Sequence, residues 1–241
     1  MAVKVLQLGL ISSLLSHLTH GSPVGAVATL HRELTLTGFH RELVTSVDVS
    51  FKNAAKKPCK MALKEEIPPG MYLDLDQLEA LQSWEDYQVM SSKPFNVEQA
   101  AHHSKAVSVI IFKRLDKKSQ KELNATVTLP VHLRYHPAGE TDFTKVTVAN
   151  PQVLIRCEDE TGEEEHTVNL ACDRDSAKLC KWQKVTARSD TKSLTAEIPI
   201  GKSQHYFLVL VGTQVASVVT TLLLAQLMYC KTISTDDSKI K

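Results

Sequence analysis

Twenty-four consecutive uncharged residues, Tyr206 to Tyr229, constrain this 241-residue chain more than any other feature. At about 1.5 Å per residue a helix over them reaches ~36 Å, enough to cross a hydrocarbon core of about 30 Å with some tilt. The run predicts a transmembrane helix over 204–230, with Tyr206, Phe207 and Tyr229 at the interfaces and Lys202 and Lys231 closing its ends. A second uncharged stretch separates Lys4 from Arg32. Its apolar run, Val5 to Leu18, is interrupted by Gln7, Ser12, Ser13, Ser16 and His17, and fits a secretory signal peptide rather than a span. Cleavage is expected after Gly21, or after Ala28 in the small-x-small triplet Ala26-Val27-Ala28. The organisation expected is a leader over 1–28, a lumenal domain over 29–203, the span over 204–230 and a cytosolic tail over 231–241. That is a type I topology.

Between the two uncharged ends, Arg32 to Lys202 holds 49 of the 55 charged residues, 24 basic and 25 acidic. So even a balance excludes a nucleic-acid binder that works by neutralising phosphates. The apolar residues in this stretch alternate. Val127, Leu129, Val131, Leu133 and Tyr135 interleave with Thr126, Thr128, His132 and Arg134, and Leu194, Ala196, Ile198 and Ile200 with Ser193, Thr195 and Glu197. Val47, Val49 and Phe51 repeat the pattern, and further strands are expected over 106–114, 146–149, 153–157 and 184–188. One helix is expected over 74–82, after the breaker Pro68-Pro69-Gly70. The fold class is therefore mainly β: a lumenal sandwich or distorted barrel of one domain, followed by a single C-terminal transmembrane helix.

In an oxidising lumen Cys59, Cys157, Cys172 and Cys180 form two disulfides, and four cysteines allow three connectivities. Cys230 falls at the cytosolic membrane edge, where position alone makes it a palmitoylation candidate. Asn124-Ala125-Thr126 is the single Asn-x-Ser/Thr sequon and makes Asn124 the glycosylation candidate, beside a lysine-rich stretch, Lys113 to Lys121, that reads as an exposed turn. Catalytic signatures are missing. His102-His103 reads as a solvated pair, and His132 with His136 on a strand does not reproduce helical zinc spacing. The acidic run Glu158 to Glu165 lacks the ligand alternation of a calcium loop. No catalytic residue, metal site, cofactor or small-molecule substrate is expected.

Within the span, Val211, Val215, Val218 and Leu222 form a branched apolar face. Thr213, Gln214, Ser217, Thr220 and Thr221 gather elsewhere, and Gly212 and Ala216 add a small-xxx-small pair. These seven residues are the candidate face for a partner helix. The alternative is that the hydroxyls bond their own backbone.

The segment Leu129-Pro130-Val131-His132-Leu133-Arg134-Tyr135-His136-Pro137 resembles the most distinctive part of the PIG-X family, the accessory subunits of glycosylphosphatidylinositol (GPI) mannosyltransferase I. Phe39-His40-Arg41-Glu42-Leu43, Ile67-Pro68-Pro69-Gly70-Met71-Tyr72-Leu73-Asp74 and Asn150-Pro151-Gln152-Val153-Leu154-Ile155-Arg156-Cys157 follow the same pattern, as do Cys180-Lys181-Trp182-Gln183-Lys184 and Ile198-Pro199-Ile200-Gly201. This resemblance implies a non-catalytic type I protein of the endoplasmic reticulum membrane. It would bind and stabilise a polytopic PIG-M-like mannosyltransferase, which adds the first mannose of the GPI anchor. The residues alone also fit a different class, a cell-surface adhesion or receptor module with a glycosylated β-domain.

Overall fold

Strands β2 (His40–Phe51) and β8 (Glu122–Leu133) carry the alternation furthest. Leu43, Thr45, Val47, Val49 and Phe51 of β2 point inward, as do Leu123, Ala125, Val127, Leu129 and Val131 of β8. The two pair antiparallel from His40–His132 to Ser50–Glu122. The computed structural model describes residues 25–52, 58–81, 86–158 and 166–237.

Around this pair a first sheet forms in the order β13 (Thr186–Ser189), β1 (Ala26–Thr35), β2, β8 and β4 (Met71–Tyr72), with β7 (Asp116–Lys117) also on β8. Only β1 and β13 run parallel among its ladders. Pro130 sits in β8 where β4 and β7 both stop short, so its missing N–H breaks no ladder. The neighbouring Thr128 carbonyl accepts the Tyr87 hydroxyl at 2.8 Å. A second sheet runs β11 (Thr167–Ala171), β12 (Leu179–Lys184), β10 (Gln152–Cys157), β3 (Cys59–Ile67), β6 (Val107–Arg114) and β5 (Tyr87–Ser91). β9 (Phe143–Ala149) and β14 (Ser193–Pro199) form a two-stranded ribbon that adds Val146, Val148, Ala196 and Ile198 to the common core.

One core spans both sheets, with Leu30, Val47 and Leu129 from the first and Met61, Ile111 and Ile155 from the second. A smaller core lies on the outer face of the second sheet, where Trp182 covers Ala62, Phe112 and Leu154. That cover explains why Val153, Leu154 and Ile155 are all buried in succession. Both disulfides are formed. Cys59 and Cys157 are cross-strand partners of β3 and β10, with Cα atoms 4.0 Å apart, and Cys172–Cys180 closes the β11–β12 hairpin at 5.0 Å. In the loop-entropy view the first closes about 98 residues and contributes ~4–5 kcal/mol, the second nearer ~2–3 kcal/mol.

The short helix α1 (Leu75–Leu81) starts at Asp74, whose carboxylate accepts the Asp76 and Gln77 N–H groups at 3.0 and 3.2 Å. Gln82, the expected last residue, and most of the acidic run, 159–165, lie outside the described residues, as do residues 1–24 of the leader expected over 1–28. Helix α2 (Tyr206–Asp237) follows a 3-10 turn. Its apolar stretch, Ser203–Tyr229, is long and apolar enough to cross a membrane, and none of it is covered by the other described residues. A soluble core helix of this hydropathy would be mostly buried.

Candidate functional site

Helix α2 resolves the seven-residue face into rows. At roughly 100° per residue, Gly212, Ala216 and Thr220 form one ridge, and Thr213, Ser217 and Thr221 the next. Gln214 begins a third row with Val218 and Leu222, so the seven cover roughly 200° of the circumference. One flat contact does not reach that far. Three hydroxyls bond the helix itself: Thr213 to the Val209 carbonyl at 2.8 Å, Thr220 to that of Ala216 at 2.9 Å, and Thr221 to that of Ser217 at 2.8 Å. The Gln214 amide and the Ser217 hydroxyl make no side-chain hydrogen bond among the described residues. A shallow groove of about 230 Å³ lies between Ser217 and Thr221 on one side and Val218 and Leu222 on the other. The groove thus straddles the polar and apolar faces that the sequence separated.

Elsewhere, three of the distinctive sequence segments fold against one another. The His132 ring stacks on Tyr72 at 4.9 Å, meets His40 edge-on at 4.5 Å and lies 2.9 Å from Gln77 Oε1. Burial lowers its pKa, His40 lowers it further, and Asp74 partly opposes both. The guanidinium of Arg134 lies over Tyr72 at 4.7 Å and donates to the Asn96 and Gln99 carbonyls, each at 2.6 Å. Gly70 joins this cluster through its carbonyl, which accepts the Arg134 N–H at 2.9 Å, and it has no room for a side chain because a Cβ there would clash with Val146 of β9. The group fastens α1 and the 92–103 loop to the end of β8, so its role is architectural. His102 and His103 are exposed, as expected. No group of three His, Cys, Asp or Glu residues among those described is placed to hold a metal.

A charged pair inside the core escaped the sequence reading. Arg32 of β1 and Glu65 of β3 form an ion pair at 2.9 Å, with side chains only 0% and 2% exposed. Arg32 also donates to Thr45 Oγ1 at 3.2 Å and to the Ala149 carbonyl at 2.6 Å, tying both sheets to the ribbon. Glu65 Oε1 has no hydrogen-bond partner among the described residues, and burial pushes the Glu65 carboxyl up to about 7 against the pull of Arg32. The signal lay in the strand period: Cys59, Met61, Leu63 and Ile67 are inward, and Glu65 falls in their phase. Asn124 is half-buried within β8, between Asp48 and Asp116 on its neighbours, rather than in a turn. The exposed turn is the β7–β8 connection that follows Lys117.

The described residues define a class: a disulfide-bonded β-domain whose chain continues into one uncovered apolar helix. Comparison with known proteins names it. The family model described as PIG-X / PBN1 matches residues 36–229, from the β1–β2 hairpin to the end of the apolar helix. The chain belongs to the PIG-X family. It is 31% identical over 208 residues to a mouse protein named GPI alpha-1,4-mannosyltransferase I, stabilizing subunit, covering 83% of this chain and 81% of the relative. A rat protein of the same name is likewise 31% identical, over 83% of this chain and 82% of its own length. The human protein of that name is 29% identical over 201 residues, 81% of this chain and 77% of the relative.

Proposed function

We propose that this chain is the non-catalytic stabilising subunit of a GPI mannosyltransferase I. In this reading it is a type I protein of the endoplasmic reticulum membrane. Its leader is removed, its β-domain is lumenal, its tail is cytosolic, and Asn124 is a glycosylation site. The partner is a polytopic PIG-M-like enzyme that transfers the first mannose of the GPI anchor from dolichol-phosphate mannose and holds the catalytic residues. The observation that carries the reading is the extent of the family match, which covers the β-domain and the apolar helix as one unit. An apolar helix that none of the other described residues covers is free to pack on the spans of an enzyme.

Depleting the chain in cells tests this. Partner abundance and GPI-anchored protein at the surface should fall together by several-fold, and the two proteins should co-purify in mild detergent. Unchanged partner abundance without co-purification refutes the assignment. Glycan at Asn124 should remain sensitive to endoglycosidase H, and complex glycan would place the chain beyond the endoplasmic reticulum.

A further inference from the structure

The end of the β-domain nearest α2 is locked to the chain that enters the helix. Gly139 N donates to the Gly201 carbonyl, and Ser203 N to that of Gly139, both at 2.9 Å. Lys202 pairs with Asp142 at 2.9 Å. Helix α2 begins at Tyr206, three residues beyond Ser203, after a 3-10 turn in which His205 N bonds the Lys202 carbonyl at 3.0 Å. Three residues reach at most about 11 Å, and roughly 6 Å in 3-10 geometry. Gly139 therefore stays within about 10 Å of the first residue of the helix. A headgroup layer is roughly 5–8 Å deep on each side of the hydrocarbon.

This end exposes apolar and aromatic side chains. Tyr135, just before the loop, is 75% exposed, and Phe143, just after it, is 56% exposed. The Phe39 ring lies 4.9 Å from that of Tyr135. Beside Phe39, the β1–β2 hairpin tip presents Leu36, 57% exposed and at φ +63°. Left-handed backbone disfavours leucine, and exposure gains it nothing in water. Arg41 nevertheless braces this tip, donating to the Gly38 and Leu36 carbonyls at 2.9 Å each. A strained turn holding an apolar side chain outward is the kind of arrangement found at binding surfaces.

We propose that Leu36, Tyr135 and Phe143 seat this end of the β-domain in the lipid headgroup layer of the membrane that α2 enters, with the half-buried Phe39 ring bracing Tyr135 from the core side. The inference rests on α2 crossing that membrane. Amphipathic rings favour the interface, where the phenol of Tyr135 reaches water and the apolar bodies reach the acyl boundary. Seated so, the domain is held upright on the bilayer instead of swinging on its short tether.

Tryptophan quenching tests the seat in the full chain, reconstituted in vesicles of phosphatidylcholine and phosphatidylethanolamine with phosphatidylcholine brominated near the headgroup. The variants are Leu36→Trp, Tyr135→Trp and Phe143→Trp. Leu179→Trp serves as an exposed control on β12, and Leu222→Trp reports the span. The expected result is at least twofold more quenching at the three test positions than at Leu179→Trp, which should match the parent chain. Test positions that behave like Leu179→Trp while Leu222→Trp is quenched by deeper bromines overturn the proposal and leave the span intact. An unquenched Leu222→Trp overturns the span and the seat together. Repeating the measurement in the complex with the mannosyltransferase completes the test: persistent quenching supports a lipid seat, whereas protection assigns the face to the enzyme and overturns it.

Discussion

Glu65 brings a carboxylate into the interior of a sandwich, and Arg32 is the group that makes its burial tolerable. Removing one partner strands the other charge, whereas removing both leaves an ordinary apolar gap. Arg32→Ala or Glu65→Ala alone should therefore destabilise by about 3–5 kcal/mol, and the double variant Arg32→Met with Glu65→Met should recover most of that loss. Denaturant unfolding of the full chain in detergent, followed by tryptophan emission, to which the buried Trp182 contributes, measures both. Two buried groups also give the domain opposing pH responses. Glu65 has a folded pKa raised to about 7 from 4.5, so its contribution is fully present below 4.5 and is lost as pH rises through 7. His132 has a folded pKa lowered from 6.5, so its contribution is present above 6.5 and is lost as pH falls through the folded value. Glu65→Gln should therefore improve relative to the parent as pH rises from 5 to 7.5. His132→Gln should improve relative to the parent as pH falls over the same range. Unfolding midpoints at pH 5, 6 and 7.5 provide the comparison.

Among the elements, those with clean alternation were legible in the sequence: β2, β8 and β14 fall on the expected runs because one face of each meets the core and the other meets water. Strand β3 was not, because its inward set includes an acid and its outer-face Ala62 is covered by Trp182, so no simple polar alternation survives. The cysteine pairing was equally hidden, since connectivity depends on which strands become neighbours and not on spacing. On α2 the hydroxyls were legible as a group, but their bonds to the helix backbone depend on individual rotamers. Strand β1 was obscured for another reason, since Ala26-Val27-Ala28 matches a leader cleavage pattern. In the fold Ala26 and Ala28 are buried in the core, opposite Phe51 and Val49, and Ala28 is also paired with Ala187. A cut after Ala28 would delete three paired residues from a central strand. A cut after Gly21 spares them. The mature protein should therefore begin at Ser22, and mass spectrometry of its N-terminal peptide checks this, with a start at Thr29 counting against it.

For the whole molecule, the two candidate contact regions belong to different parts of one chain, and a swap separates them. In the proposed seat, lipid occupies the near end of the β-domain, which leaves α2 as the part best placed to grip the spans of an enzyme. Its groove at Ser217, Val218, Thr221 and Leu222 offers a shallow channel, and the free Gln214 amide gains by finding a partner in hydrocarbon. Interhelical hydrogen bonds of this kind are worth only about 0.6–2 kcal/mol each, so packing along the whole helix has to supply most of the grip. Point changes should then act weakly, and replacement of the helix strongly. Exchanging 206–229 for an unrelated single span of equal length should leave the protein in the membrane, with its disulfides intact, yet lower co-purified mannosyltransferase at least five-fold. Ser217→Leu with Thr221→Leu should give a smaller loss, and Val211→Leu with Val215→Leu, outside the groove, should give none. Full retention of the enzyme by the swapped chain would move the contact to the β-domain. Protection of Tyr135→Trp in the quenching experiment on the complex would then locate that contact at the near end of the β-domain and overturn the lipid seat.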